Sequence, residues 1–125
     1  LARRKTGALF RAAAQLGAIA ADADDATVTT AGQYAEHVGV AFQIRDDVLD
    51  ATADADDLGK PTGVDAAMDR PSILQVTDLT PSEADALARE QADAAEAALE
   101  DLDLETSTAR DYLAELARFV VERER

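Results

Sequence analysis

From about Val28 to Asp54 the sequence keeps a helical pattern that Gly32 and Gly39 weaken but no proline interrupts. Most of the circumference of this run is apolar, wider than the stripe of an ordinary surface helix. The other segments follow the same period. Residues 1 to about 20 read as a helix of small residues with Leu9, Phe10 and Leu16 as its bulk, and Asp22 to Asp25 form a polar turn. The stretch "ADADDLGKPTGVD" gathers Gly59, Pro61 and Gly63 into a loop, and a shorter helix starts near Pro71, where proline suits a first turn. "TPSE" predicts a sharp helix start: Thr80 caps, Pro81 takes the first position and Glu83 completes the capping box. That helix runs to about Asp101. The last begins near Thr106 or Ser107 and carries Tyr112, Leu113, Leu116, Phe119 and Val120 at three- and four-residue spacing. No segment reads as a strand and no repeat is present. The fold class is all-α, a helical bundle. Alanine dominates the 47% hydrophobic fraction and aromatics are only 4%, which favours closely approaching helices.

At 125 residues the chain forms one domain at most, with a modest core. It begins at Leu1 directly in helix-like sequence, and reads as a piece of something longer. No apolar run nears the roughly 20 residues of a membrane span, and no charged-then-apolar leader is recognisable. With no cysteine there is neither a disulfide framework nor a thiol metal site. A cytoplasmic protein is expected. The net charge of −14 repels nucleic acid and anionic lipid, so neither is expected as a partner. Nearly all basic residues are arginine; the lysines are Lys5 and Lys60 alone. An Asp-rich, lysine-poor surface suits a high-salt cytoplasm. Chance is the plain account of the two lysines.

Within the long helix, "AFQIRDDVLD" sets Asp46, Asp47 and Asp50 among apolar residues. With Phe42 as zero, an ideal helix puts Asp46 at about 40°, Asp50 at about 80°, Gln43 at about 100° and Asp47 at about 140°. Gly39 falls in the same sector, while Phe42, Ile44, Val48 and Leu49 fill the apolar arc, interrupted by Arg45. The stripe could simply face water. Gln43 and Gly39, however, extend it with residues that can line a cavity. Carboxylates converging within a turn repel one another unless a cation sits between them, and hard oxygens of this kind suit Mg²⁺ with phosphate oxygens as co-ligands. A calcium loop over "DADDLGKPTGVD" fails at Leu58, its fifth position, and at Asp65, where an EF-hand carries glutamate.

"KTGALF", "GVAFQIRDDVLD" and "GKPTGVD", in this order and spacing, resemble the trans-isoprenyl diphosphate synthases, or polyprenyl synthases, over essentially the whole chain. The resemblance implies the C-terminal part of the all-α isoprenoid synthase fold, residues 1–125 being one partial domain whose N-terminal half is absent. It implies 1'-4 condensation of isopentenyl diphosphate with an allylic diphosphate to give a product of the geranyl, farnesyl or geranylgeranyl type. It further implies Mg²⁺ as cofactor, held by Asp46, Asp47 and Asp50, with Asp65 contributing from the loop. Lys5 and Lys60 look like the lysines on the allylic diphosphate, which gives them a reason beyond chance, since ammonium is a compact phosphate partner. Arg70 of "DRPS" stands where the family usually has a further lysine and keeps the charge. Thr6 and Gln43 look like the polar pair near the developing allylic cation. A halophilic archaeal source and a homodimer of the full-length protein complete the expectation.

The first aspartate-rich motif of the family is not in this sequence, nor are the upstream basic residues used for isopentenyl diphosphate, so this chain alone is not expected to turn over. His37 matches no catalytic position and reads as a helix-surface or packing residue. "VVERER" resembles the basic tail that closes over the site in some members, although a solvated helix end is the simpler reading. Two other functions stay open: a non-catalytic subunit that binds and modulates a full-length synthase, and a structural acidic helical module.

Overall fold

The computed structural model describes residues 2–56, 79–102 and 107–124. They form four helices: α1 (Ala2–Ala20), α2 (Asp25–Asp56), α3 (Pro81–Glu100) and α4 (Ser107–Glu122). No strand occurs among the described residues. The expected loop around Gly59 to Asp65 and the short helix near Pro71 lie outside them.

α2 is the axis of the fold. It packs antiparallel to α1 along one side and antiparallel to α3 along the other, and α4 lies beside α3 and touches α2. Being flanked twice explains why its sequence is apolar over so much of its circumference. Its buried residues include Tyr34, Val38, Ala41, Ile44 and Val48. α3 answers with Ala84, Ala88, Ala92 and Ala95, all fully buried, and Leu99. This alanine stripe lets the two backbones approach closely, and α4 closes the core with Ala117, Val120 and Val121. Fully burying one Val or Leu side chain contributes about 1.5–3 kcal/mol. On the α1 side, the ring of Phe10 lies over Gly39, where a Cβ would come within 3.2 Å of it. Gly39 therefore makes room for an aromatic ring; the cavity-lining role expected from its sector is taken by packing.

The boundaries follow local chemistry. The Thr80 hydroxyl accepts from the Glu83 amide at 3.1 Å, and the Glu83 carboxylate accepts from the Thr80 amide at 3.0 Å, the reciprocal capping box read from the sequence. α2 begins three residues before Val28, because Asp24 accepts from the Thr27 amide at 2.8 Å and caps it. Asp22 adopts a left-handed φ of 62° to end α1. At its other end α2 runs through Asp56, slightly past the expected Asp54.

Candidate diphosphate and metal site

Gln43 and Asp47 are 7% and 8% exposed, the only buried polar or charged residues among those described, while Asp46 and Asp50 are half-buried. The acidic stripe thus does not simply face water. Phe42, expected in the apolar arc, is 38% exposed instead. Among the described residues its ring meets that of Phe10, with centroids 6.3 Å apart, and the guanidinium of Arg123. The idealised wheel misplaced it because α1 occupies the Gln43 side of α2 and pulls the buried arc towards the aspartates.

Antiparallel packing of α1 brings its first turns against this stretch. The Thr6 hydroxyl donates to Gln43 Oε1 at 3.1 Å, joining two residues paired by the sequence reading. Lys5 precedes Thr6 and is exposed. Lys60, Asp65 and Arg70 lie outside the described residues. Asp46, Asp47 and Asp50 all make further interactions within the chain. Among the described residues no three carboxylate or imidazole groups enclose a common point. The α2 aspartates nonetheless fit Mg²⁺ by donor chemistry, since that ion takes one or two carboxylates and fills its shell with water and phosphate oxygens.

Two residues at the site were not singled out from sequence. Arg45, the interruption in the apolar arc, donates from Nη1 to Asp85 at 3.0 Å and from Nε and Nη2 to the Arg123 carbonyl at 3.1 and 3.0 Å. Arg123 turns back over α2: its guanidinium carbon lies 4.4 Å from the centre of the Phe42 ring, and Nη2 stands 3.9 Å from Asp46 Oδ1. Within "VVERER", Val120, Val121 and Arg123 are therefore packed, while Glu122 and Glu124 are exposed as the simpler reading of a solvated helix end expects. The misplaced charge of Arg45 and the resemblance of "VVERER" to a basic tail were the signals in the sequence. His37, by contrast, is a packing residue as expected, its Nδ1 2.8 Å from Gln91 Oε1.

The Polyprenyl synthetase family profile matches residues 1–105, and the chain belongs to that family. Its all-α architecture agrees with the isoprenoid synthase fold. The chain is similar to a farnesyl diphosphate synthase of Escherichia coli, 37% identical over 97% of this chain and 40% of that protein. It is also similar to a short chain isoprenyl diphosphate synthase of Methanocaldococcus jannaschii, 40% identical over 59% of this chain and 23% of that protein. A geranylgeranyl diphosphate synthase of Sulfolobus acidocaldarius is 42% identical over 61% of this chain and 23% of its own length. The chain thus spans less than half of the curated relatives it matches. No solved structure gives a significant match. No helix among the described residues is long and apolar enough to cross a membrane.

Proposed function

We propose that this chain is the C-terminal part of a trans-prenyl diphosphate synthase and carries the half of its site that grips an allylic diphosphate. The observation that carries the reading is the burial of Gln43 and Asp47 beside half-buried Asp46 and Asp50, on the helix face that meets Thr6 of α1. Asp46, Asp47 and Asp50 have further interactions within the chain, and three carboxylates kept on one helix face fit a hard cation by donor chemistry. Named relatives that make farnesyl and geranylgeranyl diphosphate support the reaction class.

In this reading Asp46, Asp47 and Asp50, with Asp65, would hold Mg²⁺, which would supply positive charge for the diphosphate leaving group. Lys5, Lys60 and Arg70 place positive charge on the same oxygens. Thr6 and Gln43 turn oxygen dipoles towards the allylic cation left when the carbon–oxygen bond breaks. Isopentenyl diphosphate then adds its double bond to that cation, forming the 1'-4 carbon–carbon bond, and loses a proton to the diphosphate released in the first step. The groups for isopentenyl diphosphate belong to the N-terminal part of the domain, and the active form is a cytoplasmic homodimer. The Asp-rich, lysine-poor composition supports a halophilic archaeal source.

The test is calorimetric titration of geranyl diphosphate into the intact protein from its native source. Binding should require Mg²⁺ and should weaken at least roughly tenfold in Asp46→Ala, the loss of about 1.4 kcal/mol or more. Binding that ignores both Mg²⁺ and Asp46→Ala would overturn the proposal.

A further inference from the structure

We propose that Arg45 is a positioning residue for the aspartate face: it sets the rotation of α2 about its own axis, and so the direction in which Asp46, Asp47 and Asp50 present their carboxylates. The inference rests on the reading of those aspartates as metal ligands and deepens it by naming what aims them.

The Arg45 side chain is only 15% exposed and stands between buried Ile44 and Asp46 in the sequence. Three of its donors are used, none of them on α2. Nη1 reaches Asp85 of α3 at 3.0 Å, while Nε and Nη2 converge on the Arg123 carbonyl just past α4. Asp85 is held in turn, its second oxygen accepting from Arg89 Nε at 3.1 Å. Gln43, two residues before Arg45, accepts from Thr6 of α1. On an ideal helix such a pair points about 200° apart round the axis and sits about 3 Å apart along it. One turn of α2 is therefore anchored on opposite sides, to α1 through Gln43 and to α3 and α4 through Arg45. Asp46 and Asp47 follow directly.

Stability gives little reason for an arginine here. An apolar side chain of similar volume often serves a buried position as well as an ion pair does, or better. Apolar contacts, however, let a helix turn slightly on its axis, whereas a guanidinium fork between two fixed acceptors is directional. Side-chain tips lie roughly 5–6 Å from a helix axis, so a turn of about 20° would carry a carboxylate about 2 Å. Mg²⁺ demands near-octahedral geometry and does not tolerate such a displacement. The aspartates have further interactions within the chain; Arg45 and Gln43 act on the helix that bears them.

Loss of the Arg45 charge and loss of its anchors have opposite signs. Removing a cation near the aspartates should by itself tighten the binding of a divalent ion, whereas freeing α2 to turn should weaken it. Mn²⁺ binding to the intact protein with inorganic pyrophosphate, read by electron paramagnetic resonance, separates the two. Arg45→Met should bind Mn²⁺ roughly tenfold more weakly. Arg45→Lys keeps the charge and a partner in Asp85, so it should fold, but it lacks the fork and should bind at least roughly threefold more weakly. Arg118→Met, which breaks the α3–α4 pairs with Asp93 and Glu96, should bind as the wild type does. Tighter or unchanged binding in Arg45→Met overturns the inference. So does wild-type affinity in Arg45→Lys, or an equal loss in Arg118→Met. Equal Mn²⁺ binding by wild type and Asp46→Asn instead removes the parent reading, and the inference with it.

Discussion

Thr6 and Gln43 meet across two helices through one hydrogen bond, with Gln43 almost wholly buried. Thr6→Val keeps the shape but leaves the Gln43 carbonyl oxygen without this donor, which should cost about 1–3 kcal/mol; the shift of the urea unfolding midpoint measures it. Tyr34 is a second buried polar contact, its hydroxyl donating to the Leu113 carbonyl at 2.6 Å. Burial, and then the charge of Glu96, push the phenol up from 10.0 to about 12. The folded state therefore holds this proton more tightly than the unfolded chain. Its contribution to stability is complete below pH 10 and should be lost as pH rises through about 12. Urea unfolding across that window should show the decline in the wild type, and Tyr34→Phe should lack this component. Both partnerships illustrate a limit of sequence reading. Thr6 and Gln43 could be paired by motif, but nothing local ties Tyr34 to Leu113, 79 positions away.

α3 and α4 differ in how their sequences announce them. The capping box at Thr80 and Glu83 is complete within four residues, so "TPSE" places the start of α3 unaided. At the start of α2 the sequence reads only as a polar turn over Asp22 to Asp25; in the structure Asp22 takes the left-handed φ and Asp24 accepts from the Thr27 amide. The alanine stripe of α3 has the opposite character. Its spacing reads as helix, but that Ala84, Ala88, Ala92 and Ala95 are all fully buried depends on how near α2 approaches. Ala88→Leu should overpack that seam and cost about 1–3 kcal/mol, seen as a lower thermal midpoint with helix content retained. A midpoint equal to wild type would mean that the helices part easily. Between α3 and α4, Arg118 binds both Asp93 and Glu96, and its hydrogen bond holds the Glu96 carboxyl below its ordinary range.

Across the whole molecule, large apolar side chains remain outside. Leu9, Leu16 and Ile19 are exposed on α1, and Tyr112, Leu116 and Phe119 on α4. Residues 1–125 produced alone should therefore self-associate, more strongly as salt screens the −14 charge. Light scattering against KCl concentration measures it, and Leu16→Glu with Ile19→Glu should reduce the association. A monomer at every salt concentration would contradict the prediction. By itself the sequence determined the all-helical class, the α3 and α4 boundaries, the Asp46, Asp47 and Asp50 face and the family, because helix period, caps and motif order are local properties of the chain. Tertiary structure alone decided that α2 is flanked on two sides, that Phe42 faces outward while Gln43 faces in, and that Arg123 returns to Asp46. Those outcomes depend on which surfaces meet and how closely, and such distances between remote residues are not written in any local pattern.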